Sequence, residues 1–251
     1  MTTKPPRRSN LKSAPAHGTK SLMDDYGNSN SIADTANAPP TDRVIVSPST
    51  RSRPGGIYRG DIIVGALLVP ESRLLADLML RNVSEAEWRT EVWPRNILSA
   101  RQRKGAVRIA ALIRARLETM TPDMLELIRD AVGVVPVQAC LAAAVKQSRL
   151  LGDFMRLVVA EQYRCFETRL TTKMWDNYID ECHERDPRMP VWNQASKNRL
   201  RSSVFQTLAQ AGYLRDTKSL QLQAVHLSDR VVASLRMSND SYALQCMEVS
   251  P

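Results

Sequence analysis

From residue 57 onward, apolar positions recur every three or four residues, the spacing of helices that bury one face. Pro70-Glu71-Ser72 opens a run with Leu74, Leu75, Leu78 and Met79 on one side, and Asn82 stands near its end. Ser84 followed by Glu87 has the form of a capping box, and Trp88, Val92 and Trp93 give the next helix its apolar side before Pro94. Val107, Ile109, Ala110, Ile113 and Leu117 predict a helix over 106–120, with Arg108, Arg114 and Arg116 between them. Thr121-Pro122-Asp123 places an N-cap and a first-turn proline before Met124, Leu125, Leu127 and Ile128. Pro136 opens the most apolar stretch, rich in alanine and continuing to Val158; it is the expected centre of the core, with a break at Gly152. Trp175, Tyr178, Ile179 and Cys182 fall at helical spacing in 171–182, ended by Pro187 and Pro190.

The pattern changes after residue 193. Leu200, Val204, Leu208 and Ala211 mark a helix that starts near Asn193 and stops at Gly212. Residues 214–220 then read as strand, turn, strand, with alternating apolar positions running on to Leu227. Helix, short connection, helix, hairpin is the element order in the C-terminal half of a winged helix-turn-helix. The expected fold class is therefore mainly α: a compact helical body with a C-terminal winged-helix-like unit carrying one short β-hairpin. The expected division is a helical N-terminal subdomain over 57–165 and a helical, winged-helix-like subdomain over 166–251.

Residues 1–56 show no such periodicity. Half of the 14 prolines lie there, Tyr26 is the sole aromatic, and Ser, Thr, Asn and Gly fill much of the remainder. Such a segment cannot bury enough apolar surface to offset its ordering entropy, so a disordered tail is expected. The chain carries 35 Lys+Arg against 26 Asp+Glu, a net charge of +9. The tail's eight basic and four acidic side chains hold +4 of this, leaving +5 for 57–251.

Placement of charge carries more information than its sum. In a winged helix the second helix enters the DNA major groove and its early residues make the contacts. Here those residues include Lys197, Asn198, Arg199 and Arg201, on a helix without a carboxylate from 195 to 211, and Lys218 would sit at the wing tip. Arginine can fork to guanine, asparagine can pair with adenine, and lysine can hold phosphate. A second basic stretch, Arg95, Arg101, Arg103, Lys104 and Arg108, precedes and enters a helix, whose free amides attract phosphate. Either stretch can equally be a solvated helix face that needs no ligand.

Other chemistry is not nominated. No HExxH, GxSxG or Walker A pattern occurs, and neither cofactor nor metal is expected. Cys140, Cys165, Cys182 and Cys246 are widely spaced and read as free thiols, and His226 reads as a partly buried strand residue. The longest uncharged run, 131–145, is shorter than the ~20 residues of a membrane span, so a soluble, cytoplasmic protein is expected.

Tyr58-x-Gly-Asp-Ile-Ile-Val-Gly-Ala-Leu-Leu-Val-Pro-Glu-Ser-Arg73, the 132–145 segment with Gln138-Ala139-Cys140, Tyr178-Ile179, Trp192, and Val204-Phe205-Gln206-x-Leu208-Ala209-x-Ala211-Gly212-Tyr213-Leu214 together resemble the BrxA family over about residues 57–235. That resemblance implies a small helical, non-enzymatic, DNA-binding member of a bacterial BREX phage-exclusion system. Its partners would be double-stranded DNA and the other BREX components: a methyltransferase, an ATPase and a phosphatase-like protein. Two rivals are a scaffold holding the methyltransferase or ATPase without touching DNA, and an RNA binder like helical antitermination factors.

Overall fold

The computed structural model describes residues 56–62 and 66–249. The expected tail lies, up to residue 55, outside the described residues. The chain is mainly helical. In order come α1 (Val69–Leu80), α2 (Glu85–Val92), α3 (Arg103–Leu117), α4 (Pro122–Asp130), α5 (Val135–Gln147), α6 (Arg149–Asp153), a π-helical turn (Phe154–Val159) and α7 (Ala160–Arg164). Then follow α8 (Thr172–Arg185), α9 (Gln194–Gln210), α10 (Asp229–Met237) and α11 (Ser241–Met247).

Side-chain caps set the starts of α2, α4, α8 and α9. The Thr121 hydroxyl accepts from the Met124 amide at 3.4 Å, with Pro122 in the first turn of α4. Ser84 caps α2 by accepting from the Glu87 amide at 3.2 Å, which is half of the expected capping box. The reciprocal box forms instead on α8, between Thr171 and Met174. Asn193 caps α9, accepting from the Ser196 amide at 2.9 Å, and Gly212, with φ +87, ends it in the left-handed region that glycine adopts without strain.

The core is one hydrophobic cluster that draws on every helix from α1 to α11. Its axis is α5, where Ala139, Leu141, Ala142, Ala144 and Val145 are buried to the last side chain. The alanines let neighbours approach closely, and α5 packs against α1, α3, α4, α6, α10 and α11. The break expected at Gly152 falls instead at Ser148, whose extended backbone separates α5 from α6. Gly152 lies inside α6, where a Cβ would overlap the Tyr242 hydroxyl.

Beside Gly152 sits the most connected carboxylate among the described residues. The Asp153 side chain is 3% exposed. Its Oδ2 accepts from the Tyr58 hydroxyl at 2.9 Å and Arg149 Nε at 3.0 Å. Its Oδ1 accepts from the Tyr242 hydroxyl at 3.2 Å and Arg156 at 3.3 Å. Arg185 of α8 in turn donates to the Tyr58 oxygen at 3.2 Å. The next residue, Phe154, meets Trp175 and Tyr178 of α8 edge-on at 5.3 and 5.2 Å and Phe205 of α9 at 6.1 Å.

The expected β-hairpin is not formed, and no strand occurs among the described residues. Residues 214–222 contribute two isolated antiparallel bridges, Leu214 with Leu222 and Arg169 with Gln221. Leu220, at φ 52, leaves the extended region directly after the turn and stops a ladder from growing. From Gln223 the chain departs toward α10. It is held there by side chains: Tyr163 donates to the Gln223 carbonyl, and Gln138 bonds both His226 O (2.9 Å) and Ser228 N (2.8 Å). His226 itself is exposed, against the expectation of a partly buried strand residue.

Asp153→Ala removes the acceptor of two arginines and two tyrosines, and should lower unfolding stability by about 3 kcal/mol or more. Gly152→Ala should cost about 1–3 kcal/mol through overlap with Tyr242. Urea denaturation followed by circular dichroism checks both; near-wild-type midpoints would contradict the packing described.

Candidate nucleic-acid interface

Helix α9 lies on α8 and buries Leu200, Val204, Phe205 and Leu208 against the core. Its opposite side presents the expected polar residues. Arg199 is exposed and makes no ion pair among the described residues, whereas Lys197, Asn198 and Arg201 are half-buried. Asn198 accepts from the Gln194 side chain at 3.1 Å. The turn after α9 is built by Asp216, whose Oδ1 accepts from the Lys218 and Ser219 amides at 2.8 and 2.7 Å. These amides and the Ser219 hydroxyl hold the Asp216 carboxyl below its ordinary range. The turn leaves the Lys218 side chain exposed.

Helix and turn share a cleft of about 470 Å3, lined by Thr172, Arg201, Ser202, Phe205, Gln206, Thr217, Lys218 and Leu220. Arg201 and Lys218, predicted separately, thus line one concavity. Thr172, Thr217 and Gln206 join them; nothing in their local sequence marks them, because the cleft exists only once α8 and the turn meet α9.

The helix has no carboxylate of its own, yet its neighbour supplies two. Lys197 Nζ lies 3.5 Å from Asp180, and Arg201 Nη1 lies 3.9 Å from Asp176, both on α8. The second contact is longer than a hydrogen bond. The basic face is therefore partly neutralised from across the α8–α9 groove, a feature that linear inspection of 195–211 does not reveal.

The second basic stretch sits at the start of α3. Arg101, Arg103, Lys104 and Arg108 are all exposed and have no ion pair among the described residues. Gln102 caps α3 without a side-chain bond and its first turn holds no acid. Cations therefore stand beside unpaired amides, an arrangement unfavourable to the helix alone and favourable to an anion. Arg95 and Asn96 do not belong to this surface: Arg95 pairs with Glu91 at 2.5 Å, and the Asn96 side chain closes the loop through two bonds to Ala100. Arg103 also borders a groove of about 300 Å3 floored by Trp88, Val92 and Val107.

The four cysteines are free. Burial pushes the Cys140 thiol up to about 12 and those of Cys182 and Cys246 up to about 11. Cys165 is exposed, and its hydrogen bond to Glu161 raises it as well. No His/Cys/Asp/Glu group suited to a metal occurs among the described residues. No helix among them is long and apolar enough to cross a membrane.

Fold and surface together define a class: small, mainly helical proteins that present basic helix faces around an alanine-rich central helix. The sequence model of the BrxA family matches residues 56–239, and the chain belongs to that family. It is similar to "BREX protein BrxA" of Paramagnetospirillum magneticum (strain ATCC 700264 / AMB-1), 43% identical over 77% of this chain and 97% of the relative. A protein of the same name from Escherichia coli O9:H4 (strain HS) is 28% identical over 75% of this chain and 89% of its own. The fold matches the crystal structure of an uncharacterized protein from Magnetospirillum magneticum with a TM-score of 0.72 and 42% identity, over 77% of this chain and 99% of the other.

A thiol reagent such as DTNB should find one fast-reacting cysteine in the native protein, Cys165, and four after denaturation. Because the Cys165 thiol is raised and the thiolate is the nucleophile, its rate should climb as pH rises above neutrality. Two or more fast thiols at neutral pH would contradict the burial of the other three.

Proposed function

We propose that this chain is a non-enzymatic, duplex-DNA-binding component of a BREX phage-defence system, acting beside the system's methyltransferase, ATPase and phosphatase-like protein. The BREX assignment rests on membership of the BrxA family and on relatives named as BREX proteins. The observation that carries DNA binding is the convergence of Arg201 and Lys218 on one cleft beside exposed Arg199.

The element order supports a docking mode. Segment 168–170, α8, α9 and segments 213–215 and 220–223 follow one another as in a winged helix. The last segment bonds both of the others, through Leu170 N to Leu220 O at 2.9 Å and Arg215 N to Gln221 O at 2.8 Å. We read this as a winged-helix unit whose wing is cut to single bridges. The early residues of α9 then enter the major groove and Lys218 touches the flanking backbone. Asn198 and Arg199 are the residues chemically able to read bases, while Lys197, Arg201 and Lys218 hold phosphates. Arg101, Arg103, Lys104 and Arg108 form a second phosphate-holding surface.

Lys197→Ala/Arg199→Ala/Arg201→Ala should weaken duplex binding by about tenfold or more and, with two phosphate-holding side chains gone, flatten the log–log salt dependence by about 2. Its melting temperature should stay near wild type, since the two pairs are long, at 3.5 and 3.9 Å, and their Asp partners on α8 face solvent. Asp176→Asn/Asp180→Asn should act in the opposite direction, strengthening duplex binding several-fold at low salt by unmasking Arg201 and Lys197. Fluorescence anisotropy on a labelled duplex reads both. Unchanged affinity in the triple variant would remove α9 from the interface.

A further inference from the structure

A larger cleft, of about 750 Å3, shares no lining residue with the α9 site. Ile57, Arg59 and Asp61 line it from the N-terminal segment, Thr119 from the end of α3, and Lys146, Gln147 and Arg149 from the α5–α6 junction. Its volume falls in the range of small-ligand sites, ~300–1,000 Å3. Three cations face one carboxylate.

The cations are held but not saturated. Lys146 gives one bond to Asp240 at 2.7 Å, and an ammonium has three donors. Arg149 reaches Asp153 through Nε, and its guanidinium lies over the Tyr242 ring at 4.0 Å, which fixes the plane of the remaining fork. Arg59 is exposed; its Nε donates to the Gly56 carbonyl at 3.3 Å and both terminal nitrogens have no ion pair among the described residues. The opposing Asp61 is mostly buried and accepts from the Ser148 hydroxyl at 2.6 Å. Burial raises its carboxyl above the ordinary range.

A further cation stands close to Asp61. Arg116 is 3% exposed and donates from Nη1 to the Ala66 carbonyl at 2.8 Å. Among the described residues its Nε and Nη2 have no hydrogen-bond partner, and Asp61 is the one carboxylate that acts on it, without an ion pair. A buried guanidinium without a counter-ion is costly, and the local field it leaves is positive. The Gln147 side-chain oxygen, at the end of α5, is buried and has no partner among the described residues. Arg116 does not line the cleft, but its charge adds to the positive field behind Asp61.

We propose that this cleft binds the phosphate group of a nucleotide-sized ligand, held between Arg59, Lys146 and Arg149. Flexible Lys146 supplies a point charge, and the two arginines supply forks that match phosphate oxygens. Asp61, of which Ser148 engages one oxygen, offers an acceptor for a hydroxyl or amino group on the rest of the ligand. The phosphate belongs either to a free nucleotide or to a nucleic-acid backbone, which share this chemistry.

The test uses the full chain and calorimetric titration with AMP, ATP and pyrophosphate, and separately with a duplex of about 20 base pairs. Wild type is compared with Arg59→Glu, Lys146→Gln and the α9 triple variant. Arg59→Glu changes an exposed side chain, so the fold is retained and the result can be read even if Lys146→Gln loosens the Asp240 contact. Nucleotide binding weakened about tenfold or more by Arg59→Glu, and untouched by the α9 variant, supports a free-nucleotide site. Absence of nucleotide binding, with duplex binding weakened by Arg59→Glu equally in wild-type and α9-variant backgrounds, supports the same site with the DNA backbone as its phosphate. If neither ligand responds to Arg59→Glu, the proposal is overturned. An α9 variant with normal duplex affinity would overturn the winged-helix reading alone.

Discussion

One buried carboxylate organises the polar interior. Asp153 accepts four donors, which is the full capacity of its two oxygens. Two of the donors are tyrosines that lie about as far apart in the chain as the described residues allow, Tyr58 and Tyr242. A buried charge with fewer partners would favour unfolding; with all four it ties the N-terminal segment, α6, the π-helical turn and α11 into one point. Burial pushes the Tyr58 hydroxyl up to about 12, so it remains a donor throughout the physiological range.

The aromatic cluster passes that constraint on to the surface. Phe154 is covalently next to Asp153, and its ring packs against Trp175 and Tyr178 of α8 and Phe205 of α9. The basic face of α9 is thus mounted on the best-fixed part of the core. Asp176 and Asp180 then stand opposite Arg201 and Lys197 and reduce their net field. The net charge of this face is therefore small, in keeping with the modest +5 carried by 57–251.

Much of the helical plan was legible because caps and apolar periodicity are local. Thr121-Pro122, the 175–182 stripe and Gly212 each mark a boundary that the structure keeps. Three features were not legible, each for a reason that lies outside local sequence. Gly152 looked like a helix breaker, yet it is glycine to make room for Tyr242, 90 residues away. The alternation in 214–222 looked like a hairpin, but Leu220 bends the backbone where a second strand would begin. The carboxylates facing α9 sit on α8, so no reading of α9 by itself could include them. Of the basic residues singled out, Arg201 and Lys218 were brought together, and Arg95 was assigned to a local ion pair.

The π-helical turn has a consequence for how this molecule tolerates change. A π turn is an α-helix holding one residue more than its pitch requires. In the continuous helix formed by α6, this turn and α7, the extra residue rotates everything beyond it relative to everything before. That rotation lets the front of the helix aim Asp153 inward and the back aim Tyr163 at the Gln223 carbonyl. Deleting any one residue of 154–159 would restore an ordinary helix and leave both ends in the wrong phase, so the length of this short stretch is constrained more tightly than its composition.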